Sequence, residues 1–129
     1  MCHRVREGTR DDIQGIMQVL DASLLRADYE EVVELVETEL CFVAENEDRK
    51  INSCIIAKDR GDEVFITHLA TLPPKRRRGL ATRLINRLIE VTVSDKRIVA
   101  ETTEKSRGFY SSLGFKIKEG KATRRISSS

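Results

Sequence analysis

The chain has 129 residues, 40% of them hydrophobic and 34% charged, with a formal net charge of +2. That is room for one compact domain, residues 1–129, with a real core, and it excludes wholesale disorder. The near balance of charge argues against a protein built mainly to coat nucleic acid. No apolar run approaches the roughly 18 residues that a membrane-spanning helix needs. Three cysteines, Cys2, Cys41 and Cys54, form no CxxC pair and fit no closed disulfide framework, so a reducing compartment is expected. The polar residues 1–8 lack the apolar core of a signal peptide, which makes a cytoplasmic location the expectation.

A short strand is predicted near residues 4–7. Thr9 then caps a helix over 11–25, in which Ile13, Ile16, Met17, Leu20 and Leu24 recur at helical spacing. A second helix, 28–40, repeats the pattern with Tyr29, Val32, Val33, Val36 and Leu40 and leaves its acidic residues outside. Strands follow at 41–45 and 51–58 around the turn-rich 46–50, a hairpin signal. A third strand, 64–72, is rich in β-branched residues and is stopped by Pro73 and Pro74, which cannot donate to a ladder. The strongest helix, 79–93, carries Ala81, Leu84, Ile85, Leu88 and Val91 on one face. Beyond it come a strand at 98–102, a short helix at 104–113, a strand at 115–119 and a last strand near 123–126. This order, βααβββαβαβ with the last strand added, predicts a mixed α/β (α+β) sandwich around one sheet.

The most informative stretch is Leu69-Ala-Thr-Leu-Pro-Pro-Lys-Arg-Arg-Arg-Gly-Leu-Ala-Thr82. It leads from a buried strand through a basic turn into a helix start. Such a start offers unpaired backbone N–H groups and the positive end of the macrodipole, a seat for phosphate. Gly79 permits backbone conformations closed to other residues, and Ala81 keeps clearance for a ligand. Arg76, Arg77 and Arg78 supply charge-assisted bonds to phosphate oxygens. The Walker pattern and GxGxxG are both absent, so those phosphate loops are excluded.

Arg76-x-x-Gly79-x-Ala81 resembles the R/Q-x-x-G-x-G/A motif of the GNAT superfamily, the acetyl-CoA-dependent N-acetyltransferases. Leu69-Ala-Thr-Leu-Pro resembles that family's cofactor strand, and Phe109-Tyr-Ser-Ser-Leu-Gly-Phe115 its "fYeklGF" segment. The resemblance implies a mostly antiparallel central sheet flanked by helices. It implies acetyl-CoA as co-substrate, with the pantetheine arm along the backbone of Leu69, Ala70 and Thr71. The diphosphate would rest on the amides of Arg77, Arg78, Gly79, Leu80, Ala81 and Thr82, beside Arg76. Tyr110 matches the tyrosine that protonates the departing thiolate. Glu101 and His68 are the competing general bases, with a water relay as a third route. Glu101 is expected to be partly desolvated by its apolar strand, which would raise its pKa towards a useful range. Thr103 stands where many members carry Asn, with Ser106 the nearest substitute for its hydrogen bond to the cofactor. Asn52 and Ser53 stand where members commonly have Gly and Val, and the last hairpin is expected to be small.

Direct attack of an amine on the thioester is the expected reaction, proximity supplying most of the acceleration. A covalent acetyl-cysteine is disfavoured, because Cys41 and Cys54 lie in apolar strands without an adjacent His. Two well-separated histidines give no metal-ligand spacing, so no metal site is expected. The acidic helix 28–40 is either an attractor for a cationic amine or a solvated face. GNAT-like domains often pair, which makes a homodimer one expected state. Two other readings are an acyl-CoA-sensing module without turnover and a small nucleic-acid-binding protein using the basic run. The scarcity of stacking aromatics counts against the latter.

Overall fold

The computed structural model describes residues 3–25 and 27–126. Seven strands form one sheet in the order β1-β2-β3-β4-β5-β7-β6. They are β1 (Arg4–Glu7), β2 (Leu40–Glu45), β3 (Ile51–Asp59), β4 (Glu63–Thr71), β5 (Arg97–Glu101), β6 (Lys116–Lys118) and β7 (Lys121–Arg125). Every pairing is antiparallel except β4 with β5. Helices α1 (Ile13–Ala22) and α2 (Tyr29–Thr38) cover one face, and α3 (Leu80–Val91) with α4 (Arg107–Ser112) covers the other. The fold is therefore the mixed, mostly antiparallel α/β sheet expected.

Alternation along β2 and β3 feeds both layers. Cys41, Val43, Cys54 and Ile56 meet Ile16, Leu20, Val32 and Leu35 on the α1/α2 side. Phe42, Ala44, Ile55 and Ala57 meet Leu80, Leu84, Ile85 and Leu88 on the α3 side. Leu84 is fully buried under this second layer. Leu84→Ala should destabilise the protein by about 2–5 kcal/mol, lost transfer energy plus a residual cavity. A urea titration checks it, as a lowered midpoint with an unchanged slope.

Several predicted boundaries move. The first helix opens with a 3-10 turn, Arg10–Asp12, and ends at Ala22, so Leu24 is not an inward residue: it is 86% exposed. Leu40 leaves α2 to begin β2, while Tyr29 and Val91 sit exposed at their helix ends, beyond the stretches that the buried residues mark. The helix expected over 104–113 shortens to six residues, because Thr103 and Ser106 close a hydroxyl-bonded turn before it: Thr103 N donates to Ser106 Oγ at 2.9 Å. The last strand is a full hairpin partner. Lys118 faces Lys121 across Glu119 and Gly120, both at positive φ, the signature of a two-residue turn. β7 inserts between β5 and β6.

The N-terminal strand is pinned by charge. Arg6 donates to Asp12 at 2.8 Å and to Glu45 at 2.9 Å, which holds both carboxyls below the ordinary range. No helix is long and apolar enough to cross a membrane among the described residues.

Candidate active site

The site begins with an irregularity in β4. Ile56 of β3 faces His68 and Ala57 faces Ile66, so Thr67 is one residue too many: a β-bulge. Before the bulge, Glu63–Ile66 pairs in parallel with β5 from Arg97 to Ala100. After it, β4 has no ladder partner on that side, and a cleft of about 900 Å3 opens between the two strands. Thr67, Leu69 and Thr71 form one wall, and Ala100, Glu101 and Tyr110 stand among the residues of the other.

The ladder phase sets which backbone groups face the cleft. Leu72 N donates to Asn52 O at 2.8 Å, so the pairs Cys54–Ala70 and Ile56–His68 exchange the remaining bonds. The peptide groups of Leu69 and Thr71 point the other way, into the cleft. Arg76 Nε confirms the direction by donating to Thr71 O at 3.2 Å.

Pro73 and Pro74 turn the chain at the cleft's end, and Arg77 (φ 65°) and Gly79 (φ 76°) take left-handed conformations to enter α3. Gly79 is the N-cap, and the first helical bond is Arg83 N to Gly79 O. Among the described residues, no protein acceptor engages the amides of residues 77–82. A Cβ added to Gly79 would meet nothing within 4 Å beyond its chain neighbours, and Gly79 itself borders the cleft. Lys75, Arg76 and Arg77 also line the cleft. An N-terminus of a twelve-residue helix, its amides free and cations beside it, fits a diphosphate.

One predicted contributor differs. Arg78 does not line the cleft; its charge instead bears on His3, whose pKa is lowered by burial and by Lys75, Arg83 and Arg78. Leu80 borders the cleft with its side chain buried in the core, which leaves its amide, the group expected of it, for a ligand. Ala81 and Thr82 line the cleft as expected.

Tyr110 is 5% exposed and held edge-on between Phe109 at 5.2 Å and Phe115 at 5.3 Å, and burial pushes its phenol up to about 12. It lines the cleft nonetheless, so core packing and access to the cleft coexist in one side chain. The pattern of its segment has a backbone cause. Phe115 N donates to Tyr110 O and Gly114 N to Ser111 O, with Gly114 at φ 86°: the Schellman arrangement that ends a helix. The Tyr110–Phe115 ring contact is the apolar contact that accompanies it.

Glu101 lines the cleft but is exposed at the end of β5, so the desolvation expected of it is absent: its neighbours on the strand are buried while its own side chain faces solvent. His68 stands apart from the cleft. It pairs with Ile56, which belongs to the α1/α2 layer. Its Nδ1 lies 2.9 Å from Thr67 Oγ1, which itself donates to Ile56 O at 3.1 Å, so Nδ1 is the donor. Burial lowers its pKa, with Glu31 opposing.

Sequence reasoning missed two contributors to the cleft, Thr67 and Ser23. Thr67 forms the bulge without any local signal. Ser23, at the end of α1, lines the cleft and donates to Thr71 O at 3.3 Å. Away from the cleft, His3 accepts from the buried Asn52 Nδ2 at 2.8 Å. Its sequence neighbour Cys2 lies outside the described residues. Thr103 and Ser106 both line the cleft, as a substitute for the absent Asn requires. Cys41 and Cys54 are buried, and burial pushes both thiols upward, Cys41 to about 12, which makes them poor nucleophiles. Among the described residues no three His, Cys, Asp or Glu side chains gather as metal ligands would. The acidic residues of α2 are largely exposed; Asp28 and Glu31 border a separate hollow of about 410 Å3 with Asp21.

Residues 37–117 match a family model described as an acetyltransferase (GNAT) domain. No curated protein matches the chain. Among solved structures, the ribosomal-protein-S18-alanine N-acetyltransferase of Escherichia coli superposes with a TM-score of 0.85 at 17% identity, over 99% of this chain and 96% of that one. NAA60 of Arabidopsis thaliana, bound to a bisubstrate analogue, gives 0.84 at 15% identity, over 99% and 100%. N-acetylglutamate synthase of Neisseria gonorrhoeae, complexed with coenzyme A and N-acetyl-glutamate, gives 0.82 at 17%, over 99% of this chain and 36% of that one. At these identities the likeness is one of fold.

Proposed function

We propose that this chain, which belongs to the GNAT acetyltransferase family, moves an acetyl group from acetyl-CoA to a primary amine by direct attack within a ternary complex. One observation carries the reading: the free amides of Arg77 and of Gly79 to Thr82, the edge of β4 without a ladder partner, and Tyr110 all open into one cleft. The coenzyme A recorded in the Neisseria gonorrhoeae structure supports a CoA thioester as the occupant.

Acetyl-CoA supplies the acyl group as a thioester. The amides of residues 77–82, with Lys75, Arg76 and Arg77, hold the diphosphate. The outward peptide groups of Leu69 and the N–H of Thr71 pair with the pantetheine arm, and an N–H there polarises the acyl carbonyl. Tyr110, whose phenol keeps its proton at neutral pH, delivers it to the departing sulfur. An amine of pKa roughly 10 must lose a proton before attack. We assign that proton to Glu101, directly or through water, because Glu101 shares the cleft with Tyr110 whereas His68 does not.

A thiol-release assay with acetyl-CoA and a panel of primary amines tests the reading. Release that requires both partners, matched by acetylated amine, is expected. Tight acetyl-CoA binding with no release from any amine would instead favour the sensing module. In the same assay Glu101→Gln should lower kcat/KM about 10²-fold and His68→Gln less than about twofold. The reverse pattern would transfer the base to His68.

A further inference from the structure

We propose that Arg124 of β7 is a positioning residue for Tyr110: its guanidinium completes the C-terminal cap of α4 and so holds the phenol in the cleft. The inference rests on Tyr110 acting as proton donor.

Helix α4 has six residues, too few to be stable by its own hydrogen bonds. Its start is tied by the Thr103–Ser106 turn, and its end by the Schellman bonds of Gly114 and Phe115. Those bonds satisfy the carbonyls of Tyr110 and Ser111 and leave that of Leu113, the C-cap residue, unserved. Arg124 Nη1 donates to this carbonyl from the neighbouring strand. A cation there also complements the negative end of the helix.

The geometry is tight. A Cβ built on Gly114 would lie 3.4 Å from Arg124 Nη1 and 3.7 Å from its Cζ, so the guanidinium lies against the glycine that turns the chain. β7 is firmly placed, since Arg124 pairs with Ile98 of β5 and Thr123 with Lys116 of β6. Arg124 therefore connects the strand bearing the cleft's far wall to the helix bearing its phenol. Nothing in the sequence pattern marks it: Thr123, Arg124 and Arg125 read as a polar strand end.

A double-mutant cycle tests the inference. Arg124→Ala should lower kcat about tenfold and leave acetyl-CoA affinity within about twofold, and Arg124→Lys, which keeps a cationic donor, should recover most of the loss. In a Tyr110→Phe background, Arg124→Ala should change kcat by less than about twofold, because the group it positions is already gone. Equal losses in both backgrounds would overturn the inference. So would a Tyr110→Phe enzyme with wild-type turnover, which would refute the proton-donor reading itself rather than the cap alone. A spectroscopic readout stands beside the kinetics. In a Tyr29→Phe background Tyr110 is the one remaining tyrosine, and its ultraviolet titration, expected near 12 in the parent because of burial, should move towards about 10 on Arg124→Ala. An unmoved titration would contradict the role. If Arg124→Ala fails to fold, Arg124→Gln takes its place in the cycle, with the same outcomes.

Discussion

Gly79→Glu is expected to abolish acetyl-CoA binding while the protein stays folded. Gly79 caps α3 at φ 76°, a conformation that costs an L-residue roughly 1–2 kcal/mol. Beyond its two chain neighbours no residue lies within 4 Å of an added Cβ, so backbone strain is the structural cost that the position imposes on a Cβ. The ligand meets a different situation. A carboxylate at this position stands in the space that the free amides of residues 77–82 present to a diphosphate. Two unit charges 4 Å apart repel by about 4 kcal/mol at an effective dielectric of 20, which is on the order of a 10³-fold loss of affinity before bulk is counted. Gly79→Ala separates the two effects, since it carries the strain without the charge and should bind far better than Gly79→Glu. Calorimetry with acetyl-CoA checks both variants. Gly79→Glu binding within twofold of the parent would place the diphosphate elsewhere.

Tyr110→Phe is the second large effect. It removes one oxygen from a side chain that is otherwise held by ring contacts with Phe109 and Phe115, so folding should change little. Loss of a positioned proton donor is worth about 10²-fold or more in kcat. Acetyl-CoA affinity should stay within about twofold, because the phenol acts on a group that develops charge only during reaction. The pH profile follows from the same environment. Burial pushes the phenol up to about 12, so the protonated form persists to high pH and Tyr110 contributes no loss of activity between pH 6 and pH 9. The stability that its burial in the neutral form confers is full below about pH 10 and falls away as the pH climbs towards 12. Steady-state kinetics on the variant decide the role; wild-type kcat would remove Tyr110 from the chemistry.

Where local chemistry dictated the structure, the sequence was readable. The proline pair ends β4 at Thr71, Gly79 starts α3, and the apolar spacing of Leu84, Ile85 and Leu88 marks its buried face. The segment from Phe109 to Phe115 was recognisable by pattern, and the Schellman turn gives that pattern its cause. What stayed hidden depends on pairing between distant strands. A bulge at Thr67 arises from the register of β4 against β3, and no property of Ile66, Thr67 or His68 announces it. That one extra residue decides that His68 leaves the cleft side and that β4 parts from β5. Glu101 looked desolvated because its strand is apolar, yet strand ends expose what strand middles bury. Arg78 belongs to an unbroken basic run, but the left-handed turns at Arg77 and Gly79 send neighbouring side chains in different directions, and only Arg76 and Arg77 of the three arginines face the cleft. Arg124 reaches Leu113 only because β7 inserts between β5 and β6, a sheet order that periodicity does not encode.

The account turns on six consecutive backbone amides, and an amide-resolved NMR titration with acetyl-CoA reads them one by one. The amides of Gly79, Leu80, Ala81 and Thr82 are expected to show the largest shifts, with those of Leu69 and Thr71 moving in the same titration. Saturable binding that leaves the start of α3 unperturbed, while shifts gather on another element, would contradict it.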